Sequence, residues 1–239
     1  PFSGALPVEF QFIGIWLALC FVLQGYVGAA LASTVTKDAR HQILAACLLV
    51  LSPVLVRRIG HDTLCAHWLL LALLYFGFRE YSGPAPARRA MLLAAGAALL
   101  AAGIHPYLAA MCWMLAMACY ARLWLGGLVT PLRALTAGLL TTAGMIAVFA
   151  MFGYFSGGPI GASGFGRYSA DLLTLVNPTE YSRLLPSLRM NASQYEGLGF
   201  VGLGGLVAMG LGAAVFVRRR SSLRAGTWPV VAACLLMGI

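Results

Sequence analysis

Apolar runs follow one another along almost the whole chain, more than a soluble fold has interior to hold. Of 239 residues, 61% are hydrophobic and 10% charged, with a mean hydropathy of +0.86. A soluble domain carries about 25% charged and 45–50% apolar residues. This composition excludes a soluble globular enzyme, a disordered region and a secreted disulfide scaffold. It predicts an all-α, polytopic membrane helix bundle.

Eight segments are expected, over residues 10–35, 42–56, 63–78, 90–104, 107–121, 135–155, 200–217 and 228–239, with a long external loop at 156–199. Fifteen residues make about 22 Å of helix, less than a hydrocarbon core of ~30 Å. The set is therefore read as transmembrane or partly spanning, the last segment truncated. The chain opens on Pro1 and shows no signal-peptide pattern. The expectation is a single transmembrane domain over 1–239, an internal fragment with at least one spanning helix before Pro1. The six cysteines show no CxxC pairing and fall in apolar stretches, as small core residues do.

Residues 90–104 and 107–121 read either as two helices or as one kinked helix, and the charges decide. Basic residues favour cytoplasmic loops. With the two separate, Lys37, Arg40, Arg79, Arg88, Arg89, Arg122, Arg133, Arg218, Arg219, Arg220 and Arg224 share one side, and only Arg57, Arg58, Arg167, Arg183 and Arg189 the other. Fusing them gives eight on each side and erases the bias. The split reading also puts Asp38 and Glu80 inside and the other five acids outside, so the net charge of +9 lies wholly on the inner side. That charge is a topology signal. No nucleic-acid partner is predicted, since no basic stripe is interleaved with exposed aromatics.

Polar residues gather on the outer side. The densest group is Arg57-Arg58-Ile59-Gly60-His61-Asp62-Thr63, with His67-Trp68 just beyond. Ionisable groups at membrane depth are expensive and mark functional candidates. Asp62 also suits the N-cap of the 63–78 helix, and Arg57 and Arg58 also suit snorkelling. As a functional pair, the two arginines suit a phosphate group. His67 reads as a hydrogen-bonded structural histidine or as a group that handles substrate or protons. His61 and His67 are six residues apart, about 240° around an ideal helix, so no metal site is predicted.

His105-Pro106-Tyr107 forms a second candidate, because Pro106 ends the helix before it and pushes His105 out of helical conformation. The external loop supplies the rest, with Arg167 after a glycine-rich stretch and Tyr195-Glu196 before the 200–217 helix. No GxGxxG or Walker pattern is present. Asn177-Pro178-Thr179-Glu180 has the pattern of a helix start. A short helix ending before Pro186 is expected, lying on the membrane surface through Tyr181, Leu184 and Leu185.

The stretch Gln11-Phe12-Ile13-Gly14-Ile15-Trp16, the run from Gly60-His61-Asp62 to His67-Trp68, His105-Pro106-Tyr107 and Gln194-Tyr195-Glu196-Gly197 together resemble a family of bacterial inner-membrane proteins. The activity of that family is unassigned, and it is grouped with the GT-C class of membrane glycosyltransferases. The resemblance covers most of the chain through short motifs. It implies a many-helix fold in the inner membrane, an active site facing the periplasm and a polyprenyl-phosphate sugar as donor. The class's essential acid would lie upstream of Pro1, and Asp62 occupies the place of a second acidic position. Arg57 or Arg58 would meet the lipid phosphate.

On this reading Asp62, with His61 and His105, forms the catalytic group. Arg57, Arg58, His67, Tyr107, Arg167, Tyr195 and Glu196 contact substrate. No motif supports a divalent metal or another cofactor, and membrane lipid is the expected surrounding partner. The alternatives are a transporter or flippase for an envelope precursor, for which Gln24 and His67 are the polar midplane residues, and a non-catalytic subunit of an envelope assembly.

Overall fold

The structure is a computed structural model that describes residues 11–157, 172–189, 199–219 and 227–237. Helices α1 (Ile13–Ala32), α2 (Ala39–Val50) and α3 (Pro53–Arg57) lead to a 3-10 turn at Asp62–Cys65. Then come α4 (Trp68–Phe78), α5 (Pro84–Ile104), α6 (Pro106–Leu125), α7 (Pro131–Met151), a second 3-10 turn at Leu172–Leu175, α8 (Gly202–Arg219) and α9 (Trp228–Met237). No strand occurs among the described residues, so the all-α expectation holds.

Among the described residues, five helical runs are long and apolar enough to cross a membrane: α1, Ala39–Arg57, α5, α6 and α7. They make this a multi-pass membrane protein. A helix occurs in each of the eight expected stretches, and five runs among the described residues reach spanning length. The stretches Asp62–Phe78 and Gly202–Leu211 are apolar but shorter, and α9 has 10 residues.

Prolines set the helix starts. Pro53, Pro84, Pro106 and Pro131 each open a helix, where the missing N–H has no partner to lose. Pro53 also breaks the run Ala39–Arg57 into α2 and α3, with Ser52 in an extended conformation at ψ 126°. Three starts lie three or more residues upstream of the expected positions. α2 begins at Ala39, α5 at Pro84 and α7 at Pro131, because the arginines at 40, 88, 89 and 133 sit at exposed positions near the helix starts. Their stems lie along the helix while the charged heads stay at the surface.

The split at His105 is present: His105 is extended, at φ −160° and ψ 132°, between α5 and α6. The run 63–78 is not one helix. After Gly60, at φ +102°, the chain makes the 3-10 turn and starts α4 only at Trp68. Asp62 is therefore the first residue of that turn and caps no α-helix; His61 precedes it. Trp16 holds the turn, its indole N–H donating to the Asp62 carbonyl at 2.8 Å.

α6 lies at the centre, packed against α4, α5, α7 and α9. Its buried side includes Ala109, Cys112, Ala116 and Cys119, and α5 buries Ala87, Ala90, Ala94, Ala98 and Ala101. Small residues bring backbones close, which replaces the hydrophobic driving force that helices lose in lipid. Cys20, Cys65, Cys112 and Cys119 are buried as expected, whereas Cys47 is exposed on α2. Polar pairs join α6 to α7. The Trp113 indole donates to Thr142 Oγ1 at 2.8 Å, and Tyr120 Oη lies 3.0 Å from Thr141 Oγ1.

The outside of the bundle is apolar. α2 buries no side chain and shows Ile43, Leu44 and Leu48, while α7 shows Leu132, Leu139 and Leu140. These faces fit contact with membrane lipid.

The expected helix within 177–185 is absent. Thr179 and Glu180 take positive φ of 43° and 72°, which no α-helix accommodates. Buried Asn177 directs the fold instead. Its Oδ1 accepts from the N–H groups of Thr179 at 3.3 Å and Leu188 at 3.0 Å, and its Nδ2 donates to the Leu188 carbonyl at 3.2 Å.

The α4–α9 contact yields a stability prediction. A side-chain carbon placed on Gly77 would meet Val230 Cγ2 at 3.0 Å and Cγ1 at 3.1 Å. Gly77→Val overpacks this buried contact, and the expected loss is about 1–3 kcal/mol. A lowered unfolding midpoint in detergent, restored by adding Val230→Ala, checks it; an unchanged midpoint contradicts the packing.

Candidate functional site

Helical connectivity sorts the polar residues to the two ends of the bundle. The end of α3, the 58–67 segment, the α5–α6 junction and the start of α1 share one end. The end of α4, the start of α5 and the end of α6 share the other.

At the first end the chain leaves α3 through Arg57 and Arg58. Arg57 is exposed and donates from a guanidinium nitrogen to Tyr181 Oη at 2.5 Å, its Cζ standing 5.7 Å from the Tyr181 ring centre. Arg58 is half-buried at the C-cap of α3, and its carbonyl accepts the Cys65 thiol at 3.3 Å and the His61 N–H at 2.8 Å. These bonds fold residues 58–65 into a compact turn.

Arg58 is the electrostatic centre of this end, since its charge acts on Cys65, His67 and His105. His105 is half-buried, and its Nδ1 accepts the Tyr107 N–H at 3.3 Å. That bond closes the first turn of α6 and selects the neutral tautomer with its proton on Nε2. Burial, followed by the neighbouring Arg58 and His61, lowers the His105 pKa below the ordinary imidazole value of 6.5. A neutral His105 can give its Nε2 proton in a hydrogen bond to an oxygen-rich ligand.

The sequence-predicted residues therefore divide as follows. Arg58 acts electrostatically on both His67 and His105, and His61 acts on His105. Asp62 is half-exposed in the same turn and acts on Cys65. Tyr107 is 75% exposed, its ring centre 5.4 Å from that of His105. Arg57 turns towards the loop through Tyr181. Arg167, Tyr195 and Glu196 lie outside the described residues. No cluster of three or more His, Cys, Asp or Glu suited to a metal ion occurs among the described residues.

Three contributors were not given their roles by the sequence. Trp16 lies in one of the stretches that carry the resemblance, but its bond to the Asp62 carbonyl spans 46 residues. Tyr181 was placed on the membrane surface and instead meets Arg57. Asn177 was read as a helix cap, although asparagine serves equally as the head of a turn.

Residues 1–239 match the domain of unknown function DUF6311, and the chain belongs to that family. No curated protein and no solved structure matches it.

The electrostatic arrangement predicts a pH response. Arg58→Gln removes a cation that opposes protonation of His105, so the His105 titration midpoint should rise towards the ordinary value of about 6.5. Histidine-labelled NMR of the detergent-solubilised protein measures it. A midpoint that does not move on this substitution would separate Arg58 from His105.

Proposed function

We propose that this protein is a GT-C-like membrane glycosyltransferase that moves a sugar from a polyprenyl-phosphate donor to a cell-envelope acceptor. The observation that carries the reading is the convergence of Arg58, His61, His67 and His105 at one end of the bundle, beside Asp62. Under this reading the protein lies in a bacterial inner membrane with that end facing the periplasm. The bias of basic residues towards the opposite end supports this orientation.

The chemistry follows from the residue types. Transfer at the anomeric carbon needs a proton removed from the acceptor hydroxyl and charge stabilised on the departing lipid phosphate. Asp62 takes the part of an auxiliary acid–base or acceptor-positioning group. Arg58 is the cation for the phosphate, with neutral His105 donating a further hydrogen bond and His61 beside it. Arg57 holds Tyr181 and so keeps the 172–189 segment against this end.

A transporter or flippase is the second reading, and one observation favours it. Gln24, in the middle of α1, is only 4% exposed and its Oε1 has no hydrogen-bond partner among the described residues. A buried polar side chain at that depth suits a transport path.

The test is sugar transfer by the full-length protein in liposomes that hold a polyprenyl-phosphate sugar. Asp62→Asn should lower the rate by about 10²-fold. Undiminished transfer by the variant removes Asp62 from the chemistry. Movement of the lipid between leaflets without any transfer establishes the transport reading in its place.

A further inference from the structure

The opposite end of the bundle holds a second polar constellation that the proposed reaction does not use. A groove of about 620 Å³ lies between the end of α4 and the start of α5, lined by Tyr75, Phe76, Arg79 and Tyr81 and, from α5, by Ala85, Pro86, Arg89, Ala90 and Leu93. Ligand sites commonly occupy about 300–1,000 Å³.

Its walls bring cations together. Arg79 donates to Tyr75 Oη at 2.6 Å and lies over both the Tyr75 and Tyr81 rings, at 5.4 and 6.0 Å from their centres. Arg122, from the last turn of α6, lies 5.8 Å from the same Tyr81 centre, and its Nη1 is buried without a hydrogen-bond partner among the described residues. Arg89 stands on the groove wall without a hydrogen bond or ion pair among the described residues, and Arg88 is its exposed neighbour. Glu80, the acid of the intervening loop, offsets one of these four charges. Tyr81 offsets none. Burial raises its pKa above the ordinary 10, and its hydroxyl donates to the Phe76 carbonyl at 2.9 Å. α5 opens on Gly83 and two prolines with no acid in its first turn, so the positive end of its dipole adds to the same field.

We propose that this groove binds a phosphate group, with Arg79 and Arg89 as the guanidinium contacts and the Tyr75 and Tyr81 rings as its walls. Guanidinium forks match phosphate oxygens in geometry and charge. The anion relieves the repulsion between Arg79 and Arg89, the two cations of the groove wall. An anionic lipid head group and a soluble phosphate compound present the same chemistry. The lipid would run its acyl chain along Ala90 and Leu93 of α5.

Binding is measured on the full chain in a non-ionic detergent, by the shift of its unfolding midpoint. The probes are inorganic phosphate and mixed micelles of phosphatidylglycerol, with phosphatidylcholine micelles as the uncharged-head comparison. Either anionic probe should raise the midpoint, and Arg89→Gln should weaken binding by at least about tenfold, the loss of one charge-assisted pair. A response to phosphatidylglycerol alone identifies a lipid ligand; a response to inorganic phosphate as well identifies phosphate itself. Arg133→Gln, an exposed cation at the same end but off the groove wall, should change nothing. Arg89 is exposed and makes no hydrogen bond or ion pair among the described residues, so its substitution leaves the packing intact even where Arg79→Gln does not fold. No response to either probe, or an equal loss with Arg133→Gln, overturns the proposal. Sugar transfer does not enter the readout, so the outcome is independent of the proposed reaction.

Discussion

The break at His105–Pro106 sets the arrangement of everything around it. Pro106 has no N–H to continue α5, and an unsatisfied backbone group within lipid costs several kcal/mol. His105 resolves the break locally by taking up the Tyr107 N–H on its own ring. A continuous helix from Pro84 to Leu125 would be about 63 Å long, twice a hydrocarbon core of ~30 Å. Folding back at His105 instead lays α6 against α5 along their alanine and cysteine faces. It carries Arg122 to the end where α4 finishes, and it brings His105 to the end where Arg58 and His61 lie. Both polar constellations depend on this one turn.

Much of this was legible in the residues. Apolar runs located the helices, Pro106 marked the break at His105, and the sign of the charges separated α5 from α6. Boundaries were less legible because an arginine at an exposed position of an opening turn looks, in sequence, like an arginine in a loop. The 62–67 region was misread for a tertiary reason. An unbroken apolar run predicts one helix, yet Gly60 turns the chain and Trp16, 46 residues away, holds the turn. Asn177 shows the same limit. Its side chain could cap a helix or head a turn, and the backbone of Leu188, 11 residues on, decides the matter.

The two ends also differ in how their charges are treated. Arg58 acts on the imidazoles of His67 and His105, and His105 is held neutral, so a donor stands near the cation without adding charge. Around Tyr81 the partners are other arginines and aromatic faces, so positive charge accumulates. The first arrangement suits a site where bonds are rearranged beside a phosphate, since neutral donors adapt as charge moves. The second suits holding an anion in place.

α4 joins the two. It has 11 residues, about 16 Å of helix, with His67 just before its first turn and Tyr75 and Arg79 at its far end. Leu69, Leu70, Leu71 and Leu73 are buried, so the helix is walled by neighbours along its length. Its position along its own axis is fixed at both ends. Trp16 anchors the turn that leads into it, and Val230 fills the space over Gly77. A helix this short and this enclosed moves as one body, so a displacement large enough to reshape the groove at Tyr75 would also carry His67 relative to Arg58. The geometry of the histidine end therefore rests partly on contacts at the arginine end, although no side chain belongs to both.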